Sequence, residues 1–490
     1  METYQEKKLY SNRNGNSKKI ILTTLPEEGQ FVNWTTPSHF KPKAIVYMPL
    51  GILSLASNID YNRHEVIVMD PSSEGWTVEE TIKNIEAENA DVVGFSAVDR
   101  KVWALREILK GISAPYKVVG GPHVTAYGKW INYGINLLND GLVDAVFMGQ
   151  LADNEFREAM DAPKGQEPRG AIDCITNIKD TEFPKRNFLD VEKYFQKKGP
   201  FAFHSENRLP LYSSVGCPQL CNFCNVQLKK PQLRDAKTIV DEMEYLYSLG
   251  CRSAHILDDN FNIIPRHLEN IASEMEKRGF NYEWSGRGQA RMVPEKRYEL
   301  LQNLTKFGFK RIHAGIEAID DKILQWFRKP ETERDVKIFS EKMSEAGIEI
   351  LGYFITGNPP EIENKSYIEK LPSQIRSLGI AHPFFNVLYP EPNTAYYESL
   401  LKDGYYDHDL WDEFFKNPTK DFEIPYPYGK ERRDEVMSQV QWLIEEFKTN
   451  VVDSIDEMGA IDSIDEMGAI KDNTATYGLE EKRPGMIRQE

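Results

Sequence analysis

The chain has 490 residues, 40% of them hydrophobic and 28% charged, the balance of a folded globular protein of about two or three domains, since single cores stop growing near ~250–300 residues. A formal net charge of −16 argues against the basic face that nucleic acid requires, and no apolar run approaches the ~20 residues that span a bilayer, so no nucleic-acid partner and no transmembrane segment are expected. The amino terminus is polar without the apolar centre of a secretory signal, and the five unevenly spaced cysteines are not a disulfide framework, so a cytoplasmic protein is expected.

After a polar tail over residues 1–17, residues 18–160 alternate short apolar runs with amphipathic stretches. KIILTT (19–24) predicts a buried strand, MPLGILSLASNID (48–60) a helix, EVIVMD (65–70) a strand and TVEETIKNIEAENA (77–90) a helix. DVVGFS (91–96), KVWALREILKGI (101–112), YKVVGG (116–121), GINLLNDG (134–141) and VDAVFMG (143–149) continue the rhythm. Strand and helix repeat about five times, the pattern of an α/β domain with a doubly wound parallel sheet. Ligands of such sheets lie beyond the carboxyl ends of the strands. There the sequence places Ser96, Ala97, Gly120, Gly121, His123, Gly149 and Gln150, several of them small enough for close backbone approach to a ligand or simply for a turn.

Residues 161–208 break the rhythm with DAPKGQEPRG and TEFPKRNFLD and read as a connector. A second series follows over 209–400: LPLYSSVG (209–216), AHILDD (254–259), EWSGRG (283–288), KRIHAGIE (310–317), EILGYFITG (349–357) and HPFFNVLYP (382–390), with longer helices between them. This predicts a partial (β/α)6 barrel whose active site gathers at the carboxyl ends of its strands. Residues 401–490 form a mostly helical carboxyl-terminal segment with an amphipathic helix over 432–448. It ends in an acidic tail where DSIDEMGAI occurs twice in succession (453–461 and 462–470), either a tolerated duplication or a partner-binding stretch.

Three of the five cysteines fall in VGCPQLCNFC (215–224), just after the first barrel strand: Cys217, Cys221 and Cys224, spaced C-x3-C-x2-C. A structural zinc site needs four protein ligands, and Cys174 and Cys251 are distant single residues, although His204 or His255 could complete one. An iron–sulfur cubane has four irons, so three cysteines leave one iron open to a further ligand.

The cysteine spacing, with the aromatic Phe223 before the last cysteine, resembles the radical S-adenosylmethionine (SAM) family. The resemblance implies a [4Fe-4S] cluster whose open iron is chelated by SAM, reductive cleavage to a deoxyadenosyl radical, and an electron donor such as flavodoxin or ferredoxin. GIEAIDDKILQWFRK (315–329), FITGNPPEIEN (354–364) and YPEPNTAYYESL (389–400) resemble later landmarks of the branch that includes cobalamin-dependent enzymes and anaerobic tetrapyrrole cyclases, with Pro360 in place of a usual glycine. On this resemblance the SAM-binding residues are Phe223, Asp259, Arg287, Arg291, Gly315 and Glu317. Asp259 of LDDNF (257–261) would orient the SAM amino group or else cap a helix. One of the two arginines would hold its carboxylate. Glu317 would bond the cofactor or pair with Arg287 or Arg291.

PLGILSLAS, DVVGFS and VVGGPHVT resemble the cobalamin-binding domain fused to this branch, so Ser96, Ala97, Gly120, Gly121, His123, Gly149 and Gln150 become candidate corrinoid contacts. No D-x-H-x2-G motif is present, and the fifth strand ends in MGQLADNE (148–155) rather than the branch's usual Gly-Glu-Gly-Glu-like element. The resemblance implies methyl transfer to an unactivated carbon or phosphorus centre of a small-molecule, lipid or peptide substrate. The alternatives are a radical cyclisation, oxidation or rearrangement without methyl transfer, and a non-catalytic cofactor-binding or sensor module. Tyr389, Tyr396, Tyr397, Tyr405 and Tyr406 either shape a substrate pocket or pack.

Overall fold

The computed structural model describes residues 16–28, 48–126, 133–195, 207–226, 228–290, 296–420 and 422–456. The first apolar runs form strands β1 (Lys19–Thr23), β2 (Glu65–Met69), β3 (Val92–Ser96), β4 (Tyr116–Gly120) and β5 (Ala145–Met148), and Gly170–Asp173 adds β6. All pair in parallel in the order β2-β1-β3-β4-β5-β6. Ile20, Ile21, Val92, Val93, Val119 and Val146 are fully buried, as expected where a parallel sheet is covered on both faces. The connecting helices end where their sequences provide caps: Thr77 and Glu80 form a reciprocal capping box ahead of Val78–Ala87.

Strand β6 corrects the sequence reading, which placed a connector over 161–208. Only four residues long, with its positions alternating between half-buried and exposed, β6 is an edge strand with too little apolar signal to stand out after the Gly- and Pro-rich DAPKGQEPRG.

A second all-parallel sheet follows in the order β14-β13-β12-β11-β10-β7. It consists of β7 (Arg208–Leu211), β10 (Ser253–Ile256), β11 (Glu283–Gln289), β12 (Phe309–Glu317), β13 (Glu349–Thr356) and β14 (His382–Val387). The six strands follow chain order without reversal, as in an open barrel. Here too one expectation changes. LPLYSSVG is not a single strand: β7 stops at Leu211, and Ser214–Val215 (β8) pairs antiparallel with Gln232–Leu233 (β9). The cause is Asp258, fully buried after β10, whose carboxylate accepts from the backbone N–H and hydroxyl of both Ser213 (2.7 and 2.5 Å) and Ser214 (3.0 and 2.7 Å). Those donors pull its pKa down while burial pushes it up, the larger effect.

The connector is tied to the barrel by buried charge. Glu242, on the helix Ala236–Ser248, accepts from Arg186 Nη2 at 2.6 Å and Arg234 Nη1 at 2.5 Å, and Arg186 Nη2 also reaches Pro210 O on β7 at 2.7 Å. Glu242 and Arg186 have no exposed side-chain surface. Further contacts join the first sheet to the rest: Tyr194 Oη donates to Asp70 at 2.7 Å, Arg100 pairs with Glu391 at 3.3 Å, and the Lys420 ammonium lies 5.3 Å from the Trp103 ring. Among the described residues no helix is long and apolar enough to cross a membrane.

Removing one member of a buried ion network strands the others without a partner. Glu242→Ala is expected to lower unfolding free energy by about 3–5 kcal/mol in a denaturant titration, and a change below ~1 kcal/mol would show that water and the backbone carbonyls already bonded to the two arginines satisfy them without it.

Candidate functional site

The β8–β9 ribbon opens and closes a loop that carries all three clustered cysteines. Cys217 N donates to Leu228 O at 2.9 Å, which brings the two ends of the loop together. Gly216 makes this possible. Its φ is +93°, and a Cβ there would lie 2.7 Å from Leu228 O, so only glycine fits without displacing backbone. Its N–H is taken by Asp259 Oδ2 at 2.7 Å. At the loop's centre Cys224 N turns back to Cys221 O, and Asn222 docks on the end of the helix Asp321–Trp326, giving Asn222 N to Phe327 O at 3.0 Å and Asn222 Nδ2 to Trp326 O at 2.8 Å. Phe223 stacks edge-on against Phe327 with centroids 5.0 Å apart. Tyr396 N donates to Asn222 O at 2.8 Å, so the P-E-P-N-T element also holds the loop.

The thiols influence one another electrostatically: Cys221 feels Cys224, and Cys224 feels Cys217 and Asp259. Burial pushes Cys221 up to about 12, with nearby Lys329 opposing it, and pushes Cys224 up as well. Buried thiols of this kind are neutral until a metal replaces the proton. Among the described residues no three His, Cys, Asp or Glu side chains converge on one point as they would around a single metal ion. The other two cysteines belong elsewhere. Cys251 lies at the opposite end of the barrel, before β10, bonded to Ser253 O, and Cys174 follows β6 in the first sheet. His255 is paired with Ser285 Oγ at 2.6 Å and its ring lies 4.2 Å from that of His313, while His204 falls outside the described residues.

Asp259 is exposed and caps no helix; the cap of the following turn is Asn260. Arg287 is half-buried on β11 among Tyr212, His255 and His313, which feel its charge, and it makes no hydrogen bond or ion pair among the described residues. Arg291 lies outside the described residues. Among the described residues Glu317 does not pair with Arg287. It ends β12 at φ +64°, a strained conformation for a side-chain residue, where the β12–β13 register shifts. Its carboxylate occupies the space above Gly315, where a Cβ would lie 2.6 Å from Oε1, and it pairs with Lys329 Nζ at 3.6 Å. Lys329 in turn donates to Gly315 O at 2.9 Å and stands 3.9 Å from Glu331. The glycine, glutamate and lysine of the G-I-E…K pattern therefore form one buried unit beside Cys221. Burial raises the Glu317 pKa against the pull of Lys329, and the Lys329 pKa is raised by its two acidic neighbours, which outweigh its own burial.

At the carboxyl edge of the first sheet the small residues are filled by the protein's own chain. A Cβ on Gly121, at φ +100°, would lie 2.8 Å from Ala97 N and O, and one on Gly149 would collide with Cys174 O. His123 has no exposed surface: Nδ1 bonds Asp99 at 2.8 Å, and the ring lies between Tyr133 and Phe415 at 4.6 and 4.7 Å. It is a packing residue at the junction with the carboxyl-terminal segment. Ser96 and Gly120 are partly open, Ala97 is buried, and Gln150 is exposed. Beside Gln150, Ile175 is 87% exposed after β6, held there by Glu155, which accepts from Ile175 N at 2.9 Å. Sequence reasoning passed over Ile175 because β6 itself was not read. Asp153 of MGQLADNE is buried and binds Ser54 at 2.5 Å and Asn58 at 3.0 Å. Of the five tyrosines, Tyr389, Tyr396, Tyr397 and Tyr406 are buried packing residues and only Tyr405 is exposed.

Residues 211–369 match the model of the radical SAM superfamily, and residues 45–147 match that of the B12 binding domain. The chain contains a radical SAM domain and a B12-binding domain. The two matched regions correspond to most of the open barrel, from the end of β7 through β13, and to strands β2 to β5 of the first sheet. The chain is 23% identical over 379 residues to an uncharacterized methyltransferase of Synechocystis sp., covering 74% of this chain and 64% of that protein. It is 26% identical over 306 residues to the bacteriochlorophyllide d C-12(1)-methyltransferase of Chlorobaculum tepidum, covering 61% and 62%. It thus spans under two thirds of these curated relatives' length. The radical S-adenosylmethionine methyltransferase TsrM of Kitasatospora setae, solved with tryptophan and a SAM analogue, shares the fold at a TM-score of 0.59 and 16% identity, covering 78% of this chain and 76% of that one.

Gly216→Ala introduces both a disfavoured φ and a backbone collision. Iron retained per chain after anaerobic reconstitution is expected to fall severalfold while the circular dichroism spectrum stays unchanged. Full iron content in this variant would show that the loop closes without the Cys217–Leu228 contact.

Proposed function

We propose that this protein is a cobalamin-dependent radical SAM methyltransferase that acts on an unactivated carbon centre. The observation that carries the reading is the closed loop that presents Cys217, Cys221 and Cys224, one thiol short of a cubane's needs, beyond the carboxyl end of β7 in a chain that also has a B12-binding domain. The methyltransferase names of the relatives, one of which methylates a bacteriochlorophyllide, support the transfer of a methyl group to carbon. When bound, a [4Fe-4S] cluster supplies the electron that cleaves SAM, and a corrinoid supplies a carrier for the methyl group.

The chain's own residues have distinct tasks in this scheme. Cys217, Cys221 and Cys224 would hold the cluster as thiolates. The second Asp259 oxygen, not used by Gly216, is available to the ammonium of SAM, and the Arg287 guanidinium, which has no partner among the described residues, to its carboxylate. Lys329 places a buried positive charge beside Cys221, which favours the thiolate. The apolar side chain of Ile175 and the exposed Gln150 suit one face and one amide edge of a corrin ring. The electron comes from an external donor of the flavodoxin or ferredoxin class.

Replacing any one of Cys217, Cys221 or Cys224 with alanine is expected to abolish SAM cleavage. Reconstituted protein incubated with a reductant and candidate substrates should yield both S-adenosylhomocysteine and deoxyadenosine by mass analysis, and should retain a corrinoid absorption spectrum. Deoxyadenosine without S-adenosylhomocysteine would instead assign a cyclisation, oxidation or rearrangement. Turnover unaffected in the three alanine variants would remove the radical mechanism.

A further inference from the structure

Asn260 follows the two aspartates after β10, is 5% exposed, and has no task in the scheme above. Its Nδ2 carries two hydrogens and has two acceptors, Gln289 Oε1 at 3.0 Å and Cys217 Sγ at 3.7 Å. The Gln289 main chain is held by Asn262 from both sides: Asn262 Nδ2 donates to Gln289 O at 2.9 Å, and Gln289 N donates to Asn262 Oδ1 at 3.1 Å. The neighbouring Gly288 leaves room for this clasp, since a Cβ there would lie 2.7 Å from Asn262 Oδ1. In this arrangement the Asn260 amide presents an N–H toward Cys217. A thiolate bound to a cluster has no proton to donate, so it favours this amide orientation over one that would aim the Asn260 oxygen at the sulfur.

That donor acts where it counts most. Cys217 is 9% exposed, and an N–H dipole is felt more strongly away from bulk water. Hydrogen bonds to cluster sulfurs are one of the levers by which a protein sets the reduction potential of an iron–sulfur centre, because they stabilise the form that carries the extra electron. The geometry points to Asn260 as a positioning residue that raises the reduction potential of a cluster bound through Cys217, so that an external donor can reduce it. Asn260 acts through the sulfur and does not touch the reacting carbon. The inference rests on the cluster reading above.

The test uses the full-length protein, reconstituted anaerobically with iron and sulfide and titrated with dithionite in the presence of mediators and without SAM. The electron paramagnetic resonance signal of the reduced cluster reports the midpoint. Its presence in the unsubstituted protein tests the cluster reading by itself. Asn260→Leu keeps the volume and removes the donor, while Asn260→Asp keeps the shape and adds negative charge. Wild type is expected to have the highest midpoint. In Asn260→Leu the reduced-to-oxidised ratio at a fixed potential should fall about tenfold, equivalent to ~59 mV for a one-electron couple. Asn260→Asp should fall at least as far. Midpoints unchanged in both variants, with iron content retained, would overturn the assignment. Loss of iron from both variants would overturn it too, by making Asn260 a builder of the loop rather than a tuner of the cluster.

Discussion

Asp258 has no exposed surface and accepts four hydrogen bonds, from the main-chain N–H and the hydroxyl of Ser213 and of Ser214. A buried donor left without its partner costs ~1–3 kcal/mol, so this one carboxylate strongly constrains how the chain leaves β7. It stops the strand at Leu211 and turns the next residues into the β8–β9 ribbon, whose two strands delimit the cysteine loop. The adjacent Asp259 then fixes Gly216 by its N–H. Two neighbouring aspartates with opposite exposure thus share the work: one shapes the barrel, and the other meets the site.

The same economy recurs around the thiols. Gly315 gives room to Glu317, Glu317 and Gly315 hold Lys329, and Lys329 sets a positive charge beside Cys221. Backbone strain at Glu317 is retained because the carboxylate has a buried cation to meet there. Asn222 docks on Phe327 and Trp326, and Tyr396 docks on Asn222, so the loop is anchored by the fourth strand's following helix and by the P-E-P-N-T element at once. These supports explain why landmarks far apart in the chain accompany one short cysteine motif.

The first sheet meets the rest of its compact unit through aromatic and charged contacts. His123 stacks on Phe415, Tyr194 bonds Asp70, and Arg100 meets Glu391. A histidine near a strand end looks available for a ligand when read in sequence. Here it is covered by a phenylalanine nearly three hundred residues later, an outcome that depends on tertiary packing.

Hydrophobic periodicity made the α/β class, both parallel sheets and most element positions legible, because buried parallel strands must be apolar runs and their crossover helices must show one apolar face. The C-x3-C-x2-C spacing identified the candidate metal ligands directly, since thiol count and spacing are properties of the chain itself. Short or interrupted strands escaped: β6 is an edge strand with half its residues exposed, and the break after β7 arises from Asp258, some forty-five residues away. Likewise, an ion pair with Arg287 was one of the alternatives read for Glu317 from sequence, whereas the fold brings Lys329 to it. Which polar groups meet, and which small residues are filled by neighbouring backbone rather than left open to a ligand, was decided only by tertiary structure, because such contacts join residues whose separation along the chain carries no periodic signal.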